Sequence, residues 1–388
     1  MPTLTDTVSR NIKRLRLVAV HSIRSLLIPA INIGLSYLFI RLASKELWGE
    51  FVNQLIWVTL GAHLLSWGSK EYLLRAFSKN PGDIPAIWQE SLSVRMCGIL
   101  IPLTAFLFLG FSPELLLWTS IWLLGSFLFQ SFDVLVLYHR KFTLAIAIEM
   151  AGLAIIAAGA WMYRGRIDIT LITSLYAVST LAKSLMMAAG FRQEGLRQFR
   201  FRWNATHLTA AIPFFLIGLA GMLQSRIDLY VVNFNLGDEQ VAVYQVMINM
   251  FIYIQAFSGL VLLPFVRNIY RFKVIDILKL SKRLLLLGIL VCLIAIPLSW
   301  FILNRLYEFN LEADFFILGA VLSLPVFWYL PVIYVCYKEK KESEVLKINL
   351  IGLLVNLFFT LILINPMGIK GALLAATIAQ LVILIIYI

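Results

Sequence analysis

Apolar residues in this chain come in long runs, not in the 3.6- or 2-residue periods of half-buried helices and strands. Coiled as an α-helix, a run of about 20 apolar residues spans the hydrocarbon core of a bilayer. Twelve such runs are present, at 17–41, 47–67, 86–110, 114–137, 142–163, 168–190, 206–234, 241–266, 280–303, 313–337, 346–364 and 369–388. Backbone groups at bilayer depth must be bonded within their own segment, so each run is expected to be a helix. The polar stretches between them are short and leave no room for an inserted soluble domain. The first run lacks a small-residue cleavage site, which marks it as a retained helix and not a signal peptide.

Charge separates the polar stretches into two sets. Lysine and arginine crowd 10–16, 70–79, 140–141, 192–202, 267–283 and 338–347, whereas the alternate stretches hold only Lys45, Arg164, Arg166, Arg305 and Lys370. Positive residues stay on the cytoplasmic side, so both termini are expected there. The alternation also requires an even number of spans.

Composition agrees. Of 388 residues, 61% are hydrophobic and 14% charged, against about half and a quarter in soluble domains. The net charge of +12 therefore reports membrane orientation and implies no nucleic-acid partner. Cys97, Cys292 and Cys336 lie inside apolar runs without paired spacing, and His21, His63, His139 and His207 are scattered. No metal site or cofactor is expected.

A repeat divides the chain. ASKELWGEF at 43–51 aligns without gaps to LGDEQVAVY at 236–244, half the chain apart. In each, a short polar turn leads into a helix that begins with an aromatic, Phe51 or Tyr244. The basic residues Arg75 and Arg267 follow that helix in both halves. Two six-helix lobes of parallel topology, 1–190 and 206–388, are predicted, joined by the basic stretch 191–205. The fold expected is an all-α polytopic membrane protein.

Transporter lobes of this kind bind substrate between them, near midplane. Arg24, Ile28 and Asn32 stack at i, i+4 and i+8 on the first helix. The second carries Glu50, Asn53, Gln54, Trp57 and Gly61 on one face, the seventh Gln224, Ser225, Arg226 and Asp228, and the eighth Gln245, Asn249 and Tyr253. Facing one another, these stripes would enclose a cleft with Arg24, Asn32, Gln54, Arg226 and Asn249 as substrate-binding candidates. Arg24 could instead snorkel to the interface, and Asn or Gln in a span can serve as interhelical glue. Arg226 and Asp228, two residues apart, point in different directions and do not pair within the helix.

Further charges fall in the first half: Glu90, Arg95, Asp133, Glu149 and Lys183. They read either as an ion-pair cluster holding that lobe together or, for Glu149 and for Asp228 in the second half, as a proton-coupling carboxylate. Guanidinium groups suit phosphate oxygens, whereas a cation carrier would need acidic and aromatic walls. The cleft is thus expected to take an anionic head group such as a pyrophosphate, leaving its lipid tail among the membrane lipids.

The elements RLASKELWGEF from Arg41 and DLYVVNFNLGDEQVAVYQV from Asp228 resemble the polysaccharide flippases (Wzx-type O-antigen and capsule exporters). These belong to the superfamily of multidrug, oligosaccharidyl-lipid and polysaccharide exporters. The likeness lies in a repeated L-G-x-x-x-V-x-x-Y element with an Asp eight residues earlier. Ser44 and Lys45 depart from it in the first lobe, where Gly-Pro is usual. The resemblance implies a V-shaped pair of lobes, alternating access, a cationic cavity and an undecaprenyl-pyrophosphate-linked oligosaccharide as substrate. It also implies residence in the bacterial cytoplasmic membrane. Membrane potential, a proton or a sodium ion could each drive transport. Two rivals stay open: a drug or cation exporter of the same fold, and a polytopic glycan enzyme such as a polymerase. The enzyme would need an outer His or a large outer loop, and the longest here is 304–315. A scaffold has no use for costly charges at bilayer depth.

Overall fold

A computed structural model describes residues 4–192, 200–262, 269 and 274–388, with 4–22 and 274 as backbone alone. Among these residues the chain is helical throughout, without strands. The first half comprises α1 (Leu4–Leu42), α2 (Lys45–Ser66), α3 (Ser69–Lys79), α4 (Ile84–Cys97), α5 (Leu100–Leu107), α6 (Pro113–Ser131), α7 (Asp133–His139), α8 (Phe142–Met162) and α9 (Ile169–Gly190). The second comprises α10 (Thr206–Gln224), α11 (Ile227–Asn235), α12 (Asp238–Leu262), α13 (Val274–Phe301), α14 (Ala313–Lys338) and the run Glu342–Tyr387.

Ten helical segments are long and apolar enough to cross a membrane. One of them, Glu342–Tyr387, is two spans, 342–367 (α15) and 369–387 (α16). They meet at Gly368, whose φ of 56° and ψ of −137° leave the helical region. A side chain is rarely tolerated there, and Pro366 just before it helps end α15. Helix α2, at 22 residues, is long enough to cross as well, and the polar residues Glu50, Asn53, Gln54 and His63 lower its hydropathy. The twelve crossings expected from the apolar runs are therefore present.

Local chemistry starts these helices. Ser44, Ser112 and Asp168 each accept the backbone N–H three residues on, capping α2, α6 and α9. Three runs read as single helices are divided: 86–110 breaks after Cys97, 114–137 at Phe132, and 206–234 at Ser225 and Arg226. The basic stretch 70–79 folds as α3, an amphipathic helix of 11 residues, about three turns. Of the stretch 191–205 expected to join the halves, 193–199 lie outside the described residues, as do Arg267 and the side chains of Arg10, Lys13, Arg14 and Arg16.

The helices form two bundles. In the first, α9 packs on α6 and α8, α2 on α6, and α1 on α8; in the second, α14 packs on α13, α12 and the run 342–387, which also holds α10 and α11. Lipid is as apolar as a side chain, so close backbone approach and interhelical hydrogen bonds drive this packing. Ser184 and Ser179 on α9 donate to the carbonyls of Gly125 and Gly152, at 2.8 and 3.0 Å. The outward faces stay apolar: only 17% of the most apolar window of α13 is buried, which turns Leu293 and Ile294 toward lipid. The bundles meet chiefly along α2 and α12, the two helices that open with the repeated sequence element.

Candidate functional site

The two repeat elements touch at the end of the molecule opposite the basic loops. Gly49 on α2 lies against the start of α12 so closely that a Cβ there would fall 1.8 Å from the Asp238 carbonyl oxygen. Around this point Trp48 donates its indole N–H to Gln245 at 3.1 Å, Tyr230 donates to the Ile56 carbonyl at 3.0 Å, and Asn233 donates to Asn53 at 3.0 Å. The 307–312 loop adds a strap from the second bundle. Arg41 donates to the Leu306 carbonyl and pairs with Glu308 at 2.7 Å, Lys45 lies 3.6 Å from Glu239, and Tyr307 donates to the Ile33 carbonyl at 2.7 Å. The Arg41 guanidinium holds the Glu308 carboxyl below its ordinary value, the side-chain hydrogen bond being the largest cause. This end is shut.

Beneath it lies a cavity of about 230 Å³ between the bundles, lined by Asn32, Trp48, Tyr176, Arg226, Gln245, Asn249 and Tyr253 among others. Arg226 reaches it because α10 stops at Gln224 and α11 restarts at Ile227. Arg226 occupies the N-cap of α11, with φ −137° and ψ −6°. Its guanidinium donates to Asn249, and Asn32 donates to Tyr253 at 3.3 Å. Toward the basic end the bundles part into a larger cavity of about 860 Å³, lined by His63, Lys70, Arg75, Arg95, Gln130, Asp133 and Phe214 among others. Beside it α3 and α4 grip α10: His207 bonds Tyr72 at 2.8 Å and Glu90 at 3.0 Å, and Trp67 stacks on Phe215.

Three of the five substrate-binding candidates, Asn32, Arg226 and Asn249, thus share one cavity. The other two do not line it. Arg24 is buried in the first bundle and pairs with Asp133 at 2.6 Å, so it neither faces Arg226 nor snorkels to the interface. Gln54 turns the other way and accepts from Thr173 on α9, which makes it glue. The coupling candidates also point inward to their own bundles. Glu149 pairs with Lys183 at 3.0 Å. Asp228 accepts from Tyr244 and faces Asn356 and Gln380, on the far side of α11 from Arg226. Trp48 and Tyr176 were missed as lining residues. Trp48 stood in the quoted repeat, whereas nothing in the local sequence sets Tyr176 apart. No group of three His, Cys, Asp or Glu side chains able to hold a metal occurs among the described residues.

Among solved structures, the lipid II flippase MurJ in its inward closed conformation aligns at a TM-score of 0.70. The match covers 94% of this chain and 86% of that one, at 16% identity. A mutant of the MATE transporter VcmN from Vibrio cholerae aligns at 0.59 over 99% of this chain and 96% of its own, at 14% identity. The chain has the fold of MurJ and VcmN. It is a multi-pass membrane protein of two six-helix lobes, as the repeat predicted. No family model and no curated protein matches the sequence.

Proposed function

We propose that this protein is a flippase that moves a lipid-linked oligosaccharide across the membrane by alternating access, binding its anionic pyrophosphate group between the lobes. The observation that carries this reading is a cleft shut at one end by the paired repeat elements and open toward the basic end, with Arg226 at its closed tip. A charged side chain at bilayer depth costs at least a few kcal/mol unless it serves a partner or a wet cavity. Among the described residues, the side-chain hydrogen bond of Arg226 goes to the neutral amide of Asn249, leaving donors for phosphate oxygens. The lobes are 1–190 and 206–388. By the charge alternation, the open end and both termini are cytoplasmic; residence in a bacterial inner membrane rests on the resemblance of the repeat elements.

The undecaprenyl carrier and a role in O-antigen or capsule synthesis rest on the resemblance of the repeat elements. The test is reconstitution into liposomes and a flipping assay with an undecaprenyl-pyrophosphate-linked oligosaccharide. Arg226→Ala should insert and fold yet lose transport. Wild-type flipping by that variant removes Arg226 from the mechanism, and thermal stabilisation by a lipophilic cation alone overturns the anionic substrate.

A further inference from the structure

Apart from Arg41, Glu50, Glu114 and Asp168 at the outer ends, the apolar runs of the first lobe hold six charged residues: Arg24, Glu90, Arg95, Asp133, Glu149 and Lys183. Five of them are matched. Arg24 pairs with Asp133, Lys183 with Glu149, and Glu90 takes His207 and Asn204. Arg95 is the one left over. It is 5% exposed, its Nε donates to the Ser91 carbonyl one turn back, and its Nη2 has no partner among the described residues. The Phe127 ring, 5.4 Å from the guanidinium carbon, is its other neighbour of note.

Burying a guanidinium without a counter-charge is costly, and buried ionic groups are ordinarily paired. The depth adds to the cost. Arg95 lies roughly 16 Å along α4 from its start at Ile84, at 1.5 Å per residue, inside the candidate span Ile84–Leu107. It also lines the wall of the 860 Å³ cavity, which Lys70, Arg75 and His63 line together with the carboxylates Glu71 and Glu342. That volume is in the range of small-molecule sites. The cavity's carboxylate at depth, Asp133, is already neutralised by Arg24.

From this leftover charge we infer that Arg95 is the deep anchor of a second anion site, which takes a diphosphate group from the basic end, with Lys70 and Arg75 as its outer contacts. The site rests on the transport reading and precedes Arg226 along the cleft. A diphosphate supplies the missing counter-charge, and its several oxygens match the fork of guanidinium donors. The tail of a lipid-linked diphosphate adds apolar contact, so such a ligand should bind more tightly than the free anion.

The test uses the full chain in nanodiscs, with binding and thermal unfolding measured for farnesyl diphosphate, inorganic pyrophosphate and farnesol. Wild type should bind farnesyl diphosphate, inorganic pyrophosphate more weakly, and farnesol not at all. Arg95→Met should weaken diphosphate binding about tenfold or more, while the ligand-free protein unfolds at the same or a higher temperature because an uncompensated charge has been removed. Arg95→Lys should fall between. A merely structural arginine would show the reverse, lower stability with unchanged affinity, and that result overturns the site, as does failure of Arg95→Met to fold. The rim variant Lys70→Gln/Arg75→Gln gives an independent reading: weaker binding supports the site, and unchanged binding overturns it. Equal affinity for both diphosphates assigns the site to the free anion and removes it from lipid transport. Binding lost in Arg226→Ala but kept in Arg95→Met sinks this site and leaves the transport reading standing. If wild type binds no diphosphate, both fall.

Discussion

Replacing Gly49 by alanine tests whether the shut end is one state of a moving protein. The added Cβ would lie 1.8 Å from the Asp238 carbonyl oxygen and 2.8 Å from its Cα, backbone atoms that cannot rotate aside. Ordinary contact needs 3.4 Å or more, so α2 and α12 must separate by roughly 1.5 Å. That movement lengthens the Trp48–Gln245 hydrogen bond of 3.1 Å and the Lys45–Glu239 approach of 3.6 Å. Overpacking costs about 1–3 kcal/mol and falls on the shut state alone, because the helix propensity that alanine adds over glycine is the same in both states. A cost of about 2 kcal/mol disfavours the shut state roughly thirtyfold, since 1.4 kcal/mol is tenfold. The assay is cross-linking by a short bismaleimide between Lys45→Cys and Glu239→Cys, in a background with Cys97, Cys292 and Cys336 replaced by alanine. Gly49→Ala should lower the cross-linking yield and slow transport. Unchanged yield and transport, with a small rise in thermal stability from propensity alone, would refute the packing argument.

Other consequences concern the matched charges. Arg24→Ala leaves Asp133 without its partner and should cost about 3 kcal/mol, the low end because Asp133 is 30% exposed; Arg24→Leu with Asp133→Leu should recover most of the loss in thermal unfolding. Lys183→Met should destabilise similarly, and the double variant with Glu149→Leu should regain stability and still transport, which a coupling role for Glu149 forbids. Arg41 depresses the carboxyl of Glu308, an exposed group in the loop at the shut end. A depressed carboxylate contributes above its unfolded value, ordinarily 4.5, and its contribution is lost as pH falls through the lowered one. The 45–239 cross-link should therefore hold from neutral pH down to the usual carboxylate range and weaken only below it. Glu308→Gln should weaken the cross-link at neutral pH and remove that acid dependence.

Much of the architecture was legible because the bilayer imposes it. Twelve apolar runs, alternating basic loops and a repeat at half-length predicted two six-helix lobes, and the helices meeting at Gly49 and Asp238 are those that begin with the repeat. The break at Ser225 and Arg226 was not legible. No proline or glycine stands there, and the polar cluster Gln224, Ser225, Arg226 and Asp228 reads equally well as a stripe on one unbroken helix. Yet that break sends Arg226 into the cleft and Asp228 into its own bundle.

Side-chain direction was the part that sequence left open. On a water-soluble helix the polar stripe marks the outside, but here lipid and protein interior are both apolar, so the pattern marks only which residues avoid lipid. Arg24, Gln54, Glu149 and Arg226 all avoid it, and each could equally face a partner or a cleft. Rotation of each helix about its axis, set by packing against its neighbours, decided among them. It gave Arg24 to Asp133, Gln54 to Thr173 and Glu149 to Lys183, and left Arg226 in the cleft and Arg95 on the cavity wall with no ion pair among the described residues. Composition and periodicity determined that this chain crosses a membrane and how often, because the cost of unsatisfied backbone in lipid acts on every segment alone. Which charges are structural and which are free was decided only in three dimensions, because a charge's cost depends on the partner it meets.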